Sequence, residues 1–313
     1  MSQKKVLIII KNRGIGDLCI LTSNIHSISR KIGHPVTVMA QKNTRADEVF
    51  KHDPHVNEVI ELDEKGFFNI IKKIKPKNFI QSYIFSDSIR LYIIAKLSGI
   101  KQIFHYSFFS KKGKNFFKTA NDFTKSIINT EVNSQSKIFC NKNEMENAKK
   151  KYAIDSKTKN YVIGISASGP TKVWDINNYI RLLQELNEKY PSKFFIAAGQ
   201  KDEFLIERIM NSEIGKNCIS LSKKSILEII PIIGACEFGV FNDTGFAHIA
   251  SGLGLKCLVL FMDSPPSAYG EYSSNITIVV PKNESVESTG HNTRGKNQIS
   301  FNEVLIKSLQ LVS

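Results

Sequence analysis

Tryptophan occurs once in this chain of 313 residues, at Trp174, and cysteine only five times. The cysteines, Cys19, Cys140, Cys218, Cys236 and Cys257, lie far apart with no paired spacing. That distribution excludes a zinc knuckle or a disulfide framework and implies a reducing, cytoplasmic setting. Long apolar runs are missing as well. Val6-Leu7-Ile8-Ile9-Ile10 is followed at once by Lys11 and Arg13, too soon for a membrane span or signal peptide, and reads as a buried strand. Internal repeats and low-complexity segments are absent. Acid is in deficit: 29 Asp and Glu stand against 43 Lys and Arg, a formal charge of +14. Such a balance attracts polyanions, yet nucleic acid, an anionic membrane and a phosphorylated small molecule satisfy it equally. No recognised nucleic-acid module accompanies it, so nucleic acid is not the expected partner.

Much of the excess charge lies in runs such as Lys72-Lys73 and Lys149-Lys150-Lys151, which read as solvated helix faces. Residues 101–125 differ. There Lys111, Lys112, Lys114 and Lys118 interleave with Phe108, Phe109, Phe116 and Phe117. That pattern suits an anionic membrane surface, and equally a solvated loop over a core edge.

The length allows two domains, each with its own core. Short β-rich runs alternate with segments of helical period, and the alternation occurs twice, which predicts an α/β protein with parallel sheets. Strands are expected near 5–10, 36–40, 58–62, 78–85 and 102–105. Leu18, Leu21, Ile25, Ile28 and Ile32 give the first helix one apolar face. A polar, lysine-rich passage at 141–160 contains the boundary, giving domains 1–155 and 156–313. The second domain repeats the pattern, with strands near 161–166, 193–197, 218–220, 237–242, 256–262 and 276–280. A last helix at 301–312 is open to either half and is able to pack back on the first.

Three segments place polar residues or glycine where a strand ends and a helix begins, the place where open α/β sheets bind ligands. The first is Arg13-Gly14-Ile15-Gly16-Asp17. Cys19 stands where a dinucleotide fingerprint needs its third glycine, so that reading is poor. Asp17 is either the cap of the following helix or a chemical group. In the second, residues 166–175, Ser166, Ser168 and Thr171 offer hydroxyls and Lys172 a positive charge for phosphate oxygens; the alternative is a polar loop. The third is Asn242-Asp243-Thr244-Gly245-Phe246-Ala247-His248. Its helix start forms an anion site, and Thr244 and His248, four apart, share a face.

Together Gly14-Ile15-Gly16-Asp17, Ser168 through Trp174 and Asp243-Thr244-Gly245-x-x-His248 resemble glycosyltransferase family nine, which contains the bacterial ADP-heptose:lipopolysaccharide heptosyltransferases. The resemblance implies a GT-B fold, two Rossmann-like domains whose parallel sheets face a central cleft. It also implies an inverting transfer of a sugar, a heptose from ADP-heptose, to a lipopolysaccharide core or related surface glycan, with no metal and no cofactor. In that scheme Asp17 is the general base and Lys172 steadies the departing diphosphate. Ser166, Ser168, Thr171, Asp243, Thr244, Gly245 and His248 line the donor, with Asp202 or Glu203 toward its ribose. Lys11, Arg13, Gly16, Lys111, Lys112 and Lys114 are the candidates for gripping an anionic glycan or glycolipid acceptor at the cytoplasmic face of the inner membrane. The alternative is a silent nucleotide-sugar or glycan-binding protein of the same fold.

Overall fold

The computed structural model describes residues 5–62, 66–106, 115–132 and 135–312. Contacts divide the chain into two compact units, Met1–Phe139 and Cys140–Ser313. The division falls ahead of the expected 155/156 boundary because the lysine-rich helix inside the polar passage belongs to the second unit.

In the first unit the order is β1 (Val6–Ile10), α1 (Ile15–Ile32), β2 (Val36–Ala40), α2 (Ala46–Val49), β3 (Val56–Glu61), α3 (Phe67–Ile74), β4 (Gln81–Phe85), α4 (Ile89–Leu97), β5 (Gln102–His105) and α5 (Phe116–Ile128). The strands form one sheet in the order β3-β2-β1-β4-β5, every neighbouring pair parallel. Parallel strands are covered on both faces, which is why β1 reads as an unbroken apolar run, β2 as one interrupted only by Thr37, and both are buried along their whole length. β4 begins at Gln81 rather than 78, because Lys75-Pro76-Lys77 makes a tight turn that Asn78 closes in the left-handed region at φ 54°. Leu7, Ile9, Ile84, Ile70, Ile94 and Ile100 form the core between the sheet and α3 and α4.

The second unit runs α6 (Lys142–Tyr152), β6 (Lys159–Gly164), α7 (Ile176–Lys189), β7 (Ser192–Ala197), α8 (Glu203–Met210), β8 (Cys218–Ser220), α9 (Ile226–Ala235), β9 (Phe238–Asn242), α10 (Gly245–Gly252), β10 (Lys256–Leu260), α11 (Pro266–Tyr269), β11 (Ile276–Val279) and α12 (Phe301–Val312). Its sheet order is β11-β10-β9-β6-β7-β8, again parallel throughout. Numbered from its own first strand, this is the winding of the first unit with one strand added. α6 packs against α9, and Lys193 Nζ donates to the carbonyl oxygens of Tyr152 and Ala153 at 2.6 and 2.7 Å, fixing the helix to β7. α12 packs on α7 and over β9 and β10, so it is part of this unit's own core. There Trp174 is 1 % exposed and stacks on Phe301 at 6.2 Å, in line with a packing anchor. No helix among the described residues is long and apolar enough to cross a membrane.

Candidate active site

Each sheet reverses its winding between two adjacent strands, and a crevice opens beyond their carboxyl ends. In the second unit those strands are β6 and β9. The loop after β6 carries Ser166 to Lys172, and the turn after β9 carries Asp243 and Thr244. Two motifs distant in sequence therefore converge because the strands before them are hydrogen-bonded neighbours.

Asn242 joins them. Fully buried, it accepts at Oδ1 from the backbone N–H of Trp174 at 3.2 Å and from the Tyr179 hydroxyl at 2.9 Å, and its Nδ2 donates to the Ile165 carbonyl at 2.8 Å. With the loop so fixed, Lys172 Nζ lies 3.7 Å from Asp243 Oδ2, while Asp243 Oδ1 lies 3.6 Å from His248 Nε2. The other nitrogen of His248, Nδ1, is 2.9 Å from the Tyr272 hydroxyl. Burial alone would raise the Asp243 carboxyl, but the His248 ring, the Ser264 hydroxyl and the Lys172 ammonium outweigh it and hold the group below the ordinary carboxylate value. His248 is 4 % exposed and sits inside α10, whereas Thr244 is the extended cap residue before it. The two do not share a helical face. The place of His248 is beside Asp243, with the N–H groups of the first turn at Gly245 aimed away from the helix.

The remaining donor candidates serve several loops. Ser166 is buried and accepts from the Gly199 N–H at 3.2 Å, linking the ends of β6 and β7; Ser168 is exposed. Thr171 donates to Asp263 Oδ2 at 2.6 Å, and the other oxygen of Asp263 accepts from the Arg294 N–H at 2.9 Å. Desolvation opposes ionisation of Asp263, but these donors, with the Asn292 N–H and the Lys172 charge, hold its carboxyl below the usual value. Asp202 precedes α8 as its cap residue without a side-chain capping bond, and Glu203, the first helical residue, pairs with Lys223 at 3.5 Å. Asp263, Tyr272 and the anchoring role of Asn242 were not legible as site features. Asp263 stands three residues past the end of β10, and that position near a strand end was the one available signal.

In the first unit the reversal lies between β1 and β4. Beyond their ends a cavity of about 440 Å³ is lined by Lys11, Arg13, Ser88 and Arg90 over a floor of Leu62, Ile70 and Leu91. Gly14 is the cap of α1, with no side-chain capping bond, and Asp17 is the third helical residue. Asp17 is thus not the cap. Its carboxylate folds back toward Gly14, where a Cβ would stand 3.2 Å from Oδ2, and Gly16 occupies the turn between them. A carboxylate in a first helical turn is favoured by the helix dipole. Arg90 and Ser88 were missed, although Ser86-Asp87-Ser88 after β4 is a polar strand end of the same kind as the three motifs. Lys111, Lys112, Lys114, Phe108 and Phe109 lie outside the described residues.

Two Rossmann-like units, one of them with a lysine and a helix start converging at its switch point, present the crevice where α/β sheets of this winding bind ligands. The description "Glycosyltransferase family 9 (heptosyltransferase)" matches residues 115–297, more than half of the chain, and the chain belongs to that family. It is a glycosyltransferase. Among solved structures, E. coli ADP-heptose lps heptosyltransferase II is similar at a TM-score of 0.80 and 16% identity, with 98% of each chain covered. A family 9 glycosyl transferase from Veillonella parvula DSM 2008 matches at 0.82 and 16%, covering 100% of this chain and 98% of that one. E. coli heptosyltransferase WaaC with ADP matches at 0.75 and 13%, covering 98% and 99%. These likenesses establish the GT-B fold. No curated protein matches the chain in sequence.

Proposed function

We propose that this chain transfers a heptose, or a closely similar sugar, from an ADP-linked donor to a lipopolysaccharide core or related cell-surface glycan, with inversion at the anomeric carbon. The observation that carries the reading is the convergence of Lys172 on Asp243 and the start of α10 at the β6/β9 switch point. A diphosphate there meets one ammonium and the positive end of a helix, the two charges that a departing ADP requires. Asp243, anchored by His248, orients Lys172, while Thr171 and Ser166 fix the loops on either side. Asp202 or Glu203 takes the ribose hydroxyls. Support for ADP as the nucleotide comes from the related structure solved with ADP.

The second unit is then the donor side and the first the acceptor side. In the transfer the acceptor oxygen bonds to the anomeric carbon as the bond from that carbon to the phosphate oxygen breaks. The hydroxyl proton passes to Asp17, and ADP leaves with the electron pair. A carboxylate takes this proton only as the hydroxyl acidifies while its new bond forms, so positioning carries much of the rate. Lys11, Arg13 and Arg90 around the first unit's cavity suit an anionic acceptor, and Lys111, Lys112 and Lys114 are retained as further candidates. The enzyme works at the cytoplasmic face of a membrane that carries its acceptor.

Transfer from ADP-heptose by purified protein tests the reading, wild type against Asp17→Asn and Lys172→Ala. Loss of one oriented charge is expected to lower turnover by about 10²–10³-fold. Undiminished turnover in both variants would remove these roles, and donor binding without transfer to any acceptor in a panel would favour a silent binding protein.

A further inference from the structure

We propose that the outward face of α4 docks on an anionic lipid bilayer. α4 carries apolar side chains on its outward as well as its inward side, with Arg90 and Lys96 its two charged residues. Leu91, Ile94 and Ala95 enter the core, while Ile89, Tyr92, Ile93 and Leu97 stand 53, 37, 42 and 55 % exposed. The outward side of a surface helix is ordinarily polar, and an apolar one is covered by a core or a membrane. The outward residues are spaced by three and four, so they form one stripe. Of the eight large hydrophobic side chains exposed among the described residues, four are these and a fifth, Phe68, is 74 % exposed on the adjoining α3. The other three, Phe204, Met210 and Ile306, are scattered on α8 and α12 as ordinary surface residues.

The charge around the stripe selects its occupant. From residue 66 to 106 the sequence carries seven Lys or Arg and one acidic residue, Asp87. Lys96 lies within the exposed side of α4, Lys101 follows it, and Lys72 and Lys73 stand exposed on α3. A second copy of this chain would bring the same cations against these, since a twofold contact uses one patch on both partners. A soluble anion would satisfy the lysines and leave the apolar stripe in water. A bilayer with anionic headgroups satisfies both, taking the aliphatic side chains to the acyl boundary while the lysines remain at phosphate level. Arg90 and Leu91 join this face to the cavity at the ends of β1 and β4. A docked surface would thus offer headgroup-borne glycans to that cavity. This last clause rests on the acceptor reading above; the docking itself does not.

The test is co-sedimentation of the full chain with vesicles of phosphatidylcholine, alone or mixed with phosphatidylglycerol. Wild type is expected to sediment with the mixed vesicles only, less so as salt rises. Ile93→Glu combined with Leu97→Glu is expected to lower partitioning at least tenfold, and Lys96→Gln about fivefold. Phe204→Glu, the same type of change in the second unit, is expected to leave binding intact. Thermal melts report folding, and Lys96→Gln keeps the test decisive if the double variant unfolds. The proposal is overturned if wild type ignores the mixed vesicles, or if the α4 variants bind like wild type. It is also overturned if ultracentrifugation shows a dimer that the α4 changes dissociate while vesicles are not bound. Transfer to a soluble acceptor is expected to persist in the double variant, so loss of docking and loss of the transfer reading give different results.

Discussion

Replacing Asn242 by leucine keeps the side chain's size and removes its polar atoms from a site with no access to water. The Trp174 N–H and the Ile165 carbonyl then lose the partners they hold at 3.2 and 2.8 Å. The Tyr179 hydroxyl, already 3.4 Å from the Gly164 carbonyl, recovers one. Two buried orphans at about 1–3 kcal/mol each give an expected loss of about 3–4 kcal/mol. With a urea slope of about 2 kcal/mol/M, the midpoint falls by about 1.5–2 M. The sole tryptophan lies in the second unit and is 1 % exposed, so its fluorescence follows this unit separately from the first. A shift under about 0.5 M would show that Asn242 does not tie the β6 loop to β9 as described.

Gly239→Ala is expected to cost the second unit about 1–3 kcal/mol, because an added Cβ collides with the Phe241 ring and lies 2.7 Å from the Val162 carbonyl; the same fluorescence titration measures it. Asp243 ionises more readily folded than unfolded, so its charge contributes stability above the ordinary value of 3.8 and loses it as pH falls through the lower folded value. Urea titrations across the acid range should therefore show a steeper decline in wild type than in Asp243→Asn. His55 acts in the same direction, at a higher pH. Burial, then the His26 charge, lowers its imidazole from 6.5, so the unfolded chain takes up the proton first and the first unit weakens as pH drops below 6.5. His55→Gln should flatten that slope in circular dichroism melts. Isothermal titration with ADP should give at least about tenfold weaker binding for Lys172→Ala, from the loss of one charge-assisted contact.

The strands were legible because a parallel sheet leaves both faces covered, so β1, β2, β7 and β9 announce themselves as apolar runs without alternation. The unit boundary was less legible. α6 buries only Ala148 fully, and its lysine-rich surface looks like a linker until α9 is seen packed against it. Side-chain roles separated in the same way. Lys172 and Asp243 were visible as strand-end residues, but their approach depends on β6 and β9 being neighbours, a fact of winding that no local pattern states. A capping role stayed open for Asp17 because aspartate favours that position, yet Gly14, three residues earlier, is the cap of the helix. The exposed stripe of α4 was hidden by its own composition, since an apolar helix reads as a core helix until the sheet is seen to cover one side alone.

Lys172 has an internal counter-ion. In the proposed transfer a nucleotide diphosphate reaching it would not neutralise a bare cation but would exchange places, in part, with a carboxylate 3.7 Å away. Arrival would be rewarded less than by a lone lysine, and departure would leave no unscreened charge behind. Under that proposal the same tether that keeps the ammonium in register would favour turnover over retention, letting the spent nucleotide go once the sugar has moved.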